Sequence, residues 1–136
     1  MADVVHQDIV FSSFEPTVTN RFVVELPESL GIPSYLIKRV EGLQYHTCAL
    51  THVSLHLYNQ VGPSTEKALY DNIIFKKLEA IECITIKQLD PIGDIVQTTT
   101  LQNCKIGSIT FADLDWSKCE PTITILNVEP ESIEIK

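Results

Sequence analysis

The sequence predicts a mainly β protein, an antiparallel β-sandwich or barrel with one short helix and long hairpins. Three observations carry this. Two runs rich in Ile, Val and Thr, Ala80 to Leu89 and Ile95 to Asn103, are separated by Asp90-Pro91-Ile92-Gly93-Asp94. Pro fixes φ and removes a donor while Gly accepts positive φ, so this stretch reverses the chain between strands. The segment from Ala49 to Tyr58 alternates with period two, as a strand with one buried face does. A helix start with helical apolar spacing occurs once, after Pro63.

In chain order, residues 1–13 mix Asp3, His6 and Asp8 with Val4, Val5, Ile9, Val10 and Phe11, and read as an N-terminal arm. Asn20 to Leu26 alternates weakly and stops at Pro27, giving a first strand. Residues 28–33 form a loop, and Tyr35 to Val40 a second strand. In the third, Ala49 to Tyr58, one face carries Val53, Leu55 and Leu57, and the other His52, Ser54, His56 and Tyr58. Ser64 is placed to cap the helix, with Glu66 in the first turn near the positive dipole end. Leu69, Tyr70, Ile73 and Ile74 then recur at helical spacing, and Lys76 and Lys77 sit in the last turn. Strands follow at about 79–89, 95–103, 105–112 and 121–128, with 103–105 as a bulge or tight link.

At 136 residues the chain reads as one domain, 1–136, large enough to bury a core. Hydrophobic content of 44% against 21% charged argues for a folded protein. Its apolar runs fall well short of the ~20 residues that span a bilayer. Residues 1–20 contain Asp3, Asp8 and Glu15 and lack the pattern of a secretion signal. The expectation is a protein that stays in the cytoplasm where it is made. Cys48, Cys83, Cys104 and Cys119 are too far apart for a Cys-x-x-Cys unit and are expected to be reduced, with a disulfide between subunits as the alternative. A net charge of −8 excludes a phosphate-gripping surface. An acidic wall would let nucleic acid pass without sticking.

Candidate chemistry is sparse. His46, Cys48, His52 and His56 share parity on one strand, but His52 and His56 would lie ~13 Å apart, too far for ligands each ~2.1 Å from one zinc. Asp90, Asp94, Asp113 and Asp115 sit beside turns, where carboxylates commonly accept from nearby backbone N–H groups. No nucleophile elbow, phosphate loop or His-Glu-x-x-His occurs. No catalytic, cofactor-binding or metal-ligating residue is therefore expected, and no cofactor. Trp116 is expected to plug one end of the barrel, with a subunit contact as the alternative.

Several motifs occur in a characteristic order: Phe14-Glu15-Pro16-Thr17-Val18-Thr19-Asn20-Arg21-Phe22, Gly31-Ile32-Pro33-Ser34-Tyr35-Leu36-Ile37-Lys38, Leu57-Tyr58 and Pro63-Ser64-Thr65. Leu89-Asp90-Pro91-Ile92-Gly93-Asp94-Ile95-Val96 and Leu114-Asp115-Trp116-Ser117 before Glu120-Pro121 complete it. In pattern, order and spacing the chain resembles the tail-tube proteins of T-even-like, contractile-tailed bacteriophages. It departs from them after the turn, where Gln97-Thr98-Thr99-Thr100 stands in place of a Trp.

The resemblance implies a structural virion protein whose hexameric rings stack head to tail into a channel for DNA delivery. Hairpins 35–58 and 79–103 would line that channel, with Thr98, Thr99, Thr100, His52, Ser54 and His56 as candidate lining. The arm, the 59–63 loop and the C-terminal tail would stack the rings, and Lys38 and Arg39 would pair with acidic neighbours. Implied partners are further copies, the tail sheath, baseplate and terminator proteins, and passing DNA, with no membrane. The location would be the virion tail, after assembly in the host cytoplasm. The alternatives are a tube-initiating or terminating ring, an injection-system tube subunit, or a monomeric β-domain that binds a protein or small ligand.

Overall fold

The computed structural model describes residues 16–136, so the arm at 1–13 lies outside the described residues. The strands are β1 (Phe22–Glu25), β2 (Ile37–Glu41), β3 (Val53–Tyr58), β4 (Ala80–Leu89), β5 (Ile95–Thr110), β6 (Ile123–Glu129) and β7 (Ser132–Ile135). They form one antiparallel sheet in the order β1-β4-β5-β6-β3-β2, with β7 paired to β5.

The hairpin between β4 and β5 closes as its residues dictate. One Asp90 carboxylate oxygen accepts from the N–H of Ile92 at 3.1 Å and of Asp94 at 2.7 Å. Gly93 takes φ 95°, which a side chain would resist. Strand β3 begins at Val53 rather than Ala49, and its alternation is as predicted: Val53, Leu55 and Leu57 are buried and stand opposite Val128, Leu126 and Thr124 of β6. The predicted hairpin over 35–58 is the β2–β3 pair, joined by a long connection over 42–52. Gly42 at φ 89° lets that connection pass close to β3, since a Cβ there would lie 2.3 Å from the His52 carbonyl oxygen.

The two strands predicted over 95–112 are a single strand of 16 residues. It stays continuous by changing which residues face inward. Thr99, Leu101 and Cys104 are buried, so the parity flips where Asn103 adopts φ 49°. Strand β4 flips in step, between buried Ile81 and Ile84. A register shift of β5 against β6 between Ile106 and Ser108 produces a second flip, and Ile106 and Ile109 both pack on the core. Such irregularities bend a strand and let it change partners. Here β5 pairs with β7 through 99–102 and with β6 through 105–110.

The curl brings the outermost strands to one cleft, lined by Phe22 of β1 and Val40 of β2. No ladder joins them, so the predicted barrel is an open, curled sheet. Its interior holds Leu55, Leu57, Ile84, Leu101 and Leu126, all buried, each worth ~1.5–3 kcal/mol relative to exposure.

The helix α1 (Thr65–Leu69) has the predicted cap, the Ser64 hydroxyl accepting from the Lys67 N–H at 3.3 Å. It then widens into a π turn over Tyr70–Ile74, with the Phe75 N–H donating to the Tyr70 carbonyl at 2.7 Å. Leu69 and Ile73 reach the core, but Tyr70 and Ile74 do not belong to that buried stripe. Lys76 and Lys77 lie past the helix, in a turn where Lys77 takes φ 53°.

Candidate assembly surfaces

The segment 111–121 leaves the sheet at a fixed point, because Glu66 accepts from the Ala112 N–H at 3.4 Å and from the Thr124 hydroxyl at 3.2 Å. Beyond it the chain makes a turn. The Lys118 N–H donates to the Asp115 carbonyl at 3.2 Å, and the Asp115 carboxylate accepts from the Ser117 N–H at 2.9 Å and hydroxyl at 2.7 Å. These bonds from Ser117 hold the Asp115 carboxyl below its usual value and keep it charged. Trp116 sits inside this turn and is fully exposed, at 106%, so it plugs nothing. Phe111 and Leu114 are exposed beside it, among exposed Asp113, Lys118 and Glu120.

A second apolar surface follows from the π turn. An extra residue in one turn rotates what comes after it, leaving Tyr70, Ile74, Phe75 and Leu78 exposed. The rings of Tyr70 and Phe75 stand 6.4 Å apart, and Lys67 lies 5.8 Å over Tyr70 while bonding Asp71 at 3.0 Å. Lys76 and Lys77 are exposed and have no ion-pair partner among the described residues. Further apolar groups reach solvent at the β4–β5 tip (Ile92, Ile95, Val96), and at Val61 in the 59–63 loop.

Among the described residues β1, β2 and β7 keep a free edge. The C-terminal tail, predicted as a stacking element, is itself strand β7. Its end is tied to Thr98, whose N–H donates to the Lys136 carbonyl at 3.0 Å and whose carbonyl accepts from the Lys136 N–H at 2.9 Å. On β2, Arg39 bonds Glu41 of its own chain at 2.6 Å and Lys38 lies 5.7 Å over the Tyr58 ring. Both basic groups therefore have partners within the chain.

The predicted polar linings separate. Thr99 is buried and faces the core, while Thr98 and Thr100 are half-buried. Ser54 and Asn127 bond across β3 and β6, and Asn127 donates to Ser108 at 2.8 Å, making a polar row on the outer face. His56 lies 3.4 Å from Glu41 and His52 3.3 Å from Glu129. His46, Cys48 and His52 fall in the 42–52 connection and only His56 lies on β3, so the shared parity expected of the four does not exist. Among the described residues no three of His, Cys, Asp and Glu gather as metal ligands. All four cysteines are free, and burial, then the neighbouring Cys83, pushes the Cys104 thiol up to about 11.

No family model matches the chain, and no curated protein matches it. Solved structures do. The sheath-tube complex of an extracellular contractile injection system, PVC, in its extended state aligns with TM-score 0.71 at 16% identity, covering 94% of this chain and 96% of that one. The tube-terminating cap of the anti-feeding prophage aligns with TM-score 0.71 at 15% identity, over 90% and 92%. The PVC sheath/tube terminator gives 0.69 at 16%, over 90% and 98%. The chain thus has the fold found in tube and tube-terminating proteins of contractile systems, as the sequence pattern implied. Those neighbours are structural parts of injection machines, not enzymes.

Proposed function

We propose that residues 1–136 form one tube-like domain that builds the tube of a contractile tail or injection device, without catalytic, cofactor or metal chemistry. The carrying observation is the match to a sheath-tube complex over 94% of this chain. Exposed apolar groups and free edges support it, since a monomer gains nothing from either and closed rings bury both. Six copies per ring accord with the sixfold symmetry of the anti-feeding prophage baseplate, which aligns with TM-score 0.60. Rings stack head to tail into a channel, in contact with sheath, baseplate and terminator proteins, in a particle assembled in the cytoplasm. The net charge of −8 per copy suits a wall past which DNA slides.

The cap and terminator align about as well as the tube, which favours a terminal ring as the second reading. Negative-stain electron microscopy over a concentration series, with light scattering alongside, tests both. Stacked tubes with a central hole are expected for a shaft subunit, and single rings for a terminal one. A uniform 15.3 kDa particle at every concentration would overturn self-assembly and leave a monomeric binding domain.

A further inference from the structure

Two exposed aromatic surfaces differ in charge. The segment 111–121 offers Phe111 and Trp116 among Asp113, Asp115 and Glu120, three carboxylates against the single ammonium of Lys118, all exposed. The turn after α1 offers Phe75, 72% exposed, beside Lys76 and Lys77, two ammonium groups against the one carboxylate of exposed Glu79. Neither aromatic surface is covered by the described residues. Each patch repels its own like: acidic against acidic, or lysine against lysine, would place like charges across a contact that must also desolvate aromatic rings. Each patch suits the other. They also lie toward opposite ends of α1, because Glu66 in the first turn anchors 111–121 at Ala112, whereas Phe75 to Leu78 follow the last turn.

We propose that the Trp116 segment of one copy docks on the Phe75–Leu78 surface of a second copy, so that the contact is heterologous and gives the assembly its direction. Two different patches in contact leave one of each unsatisfied on every open oligomer, which is the condition for a ring or a filament and against a closed pair. Aromatic groups at the centre with charges at the rim is also how strong contacts between proteins are built. The contact presupposes the tube assembly proposed above and specifies one of its interfaces.

Charge reversal tests it with exposed groups that have no partner among the described residues. Lys76→Glu with Lys77→Glu alters one patch, and Asp113→Lys with Glu120→Lys the other. Each paired variant should keep the parent's melting temperature and raise the critical concentration for assembly at least about tenfold, within the range of electrostatic effects on association. Mixed one to one, the two variants should assemble again, because each then meets an opposite charge on its neighbour. All four changes in one chain should restore assembly likewise. A Lys77→Cys chain that also carries Cys48→Ser should crosslink through its native Cys119 into ladders on mild oxidation.

A parent chain that assembles while both paired variants assemble equally well, or whose mixture stays dissociated, overturns this contact and leaves the tube intact. If the helix-side variant fails and the loop-side variant does not, the lysine patch meets a surface of the neighbouring copy other than 111–121 and the proposal is likewise wrong. A parent chain that never assembles removes tube and contact together.

Discussion

Replacing Trp116 with Ala separates stability from assembly. The side chain is 106% exposed, so its loss deletes no packing against the described residues, and unfolding free energy should stay within about 0.5 kcal/mol of the parent. Buried against a neighbouring copy, the same side chain covers ~150–250 Å², which at ~25 cal/mol/Å² is a gross ~4–6 kcal/mol. Desolvating the neighbouring carboxylates and ordering the segment offset part of this, leaving about 2–4 kcal/mol, the usual range for a buried aromatic anchor. At 1.4 kcal/mol per factor of ten, the critical concentration should rise by about 30- to 700-fold. Thermal melts and a pelleting series read the two quantities on one sample. Leu126→Ala is the contrasting control, because that side chain is fully buried and its truncation should cost about 2–5 kcal/mol in folding. Trp116→Ala melting like Leu126→Ala would show that Trp116 packs within its own chain. Parental stability with parental assembly would show that it touches no copy.

Three further outcomes follow from the local geometry. Gly42→Ala forces a side chain at φ 89° and sets its Cβ 2.3 Å from the His52 carbonyl, so urea unfolding should show a loss above about 2 kcal/mol; an unchanged midpoint would mean that the 42–52 connection runs elsewhere. Asp90→Ala removes the acceptor of two N–H bonds in the β4–β5 turn, and should cost about 1–2 kcal/mol by the same measurement, with no loss pointing to a turn held by Gly93 and Pro91 instead. The Cys104 thiol is pushed from its ordinary 9.0 to about 11, so the folded chain holds that proton more tightly than the unfolded one. Its contribution is therefore complete below pH 9.0 and lost as pH rises to about 11; Cys104→Ala should flatten that alkaline decline, and an equally steep decline would assign it to other groups.

Local chemistry made part of this fold legible. The β4–β5 reversal was readable because Asp90 and Gly93 act within five residues, and the Ser64 cap because it acts within four. The alternation of β3 was readable because a single buried face imposes period two. Strand β7 was not, because Ile133 and Ile135 alternate with Glu134 in only four residues and the pairing partner lies about thirty residues away. The unity of β5 was hidden by its two parity flips, which turn Leu101 and Cys104 inward at a spacing of three instead of two. Trp116 was misplaced because size and apolarity argue for burial. Its flanking Asp115 and Ser117 carried the opposite signal, a turn whose tip must face water.

Under the tube reading proposed above, the free edges must also refuse wrong partners before any assembly. An unpaired strand accepts any other strand unless its side chains discriminate. Strand β1 carries Glu25, bonded to Lys87 at 2.8 Å, β2 carries Lys38, Arg39 and Glu41, and β7 carries Glu134 with Lys136 at 3.3 Å. All three edges therefore present charged side chains to any incoming strand. A net charge of −8 adds a repulsion that every incoming copy must overcome. Surface pairs of this kind are each worth little, so one chance contact does not suffice to hold two copies. In the tube proposed above many such contacts and the apolar surfaces would close at once, and the same weakness of the single contact would keep a free copy from pairing at random.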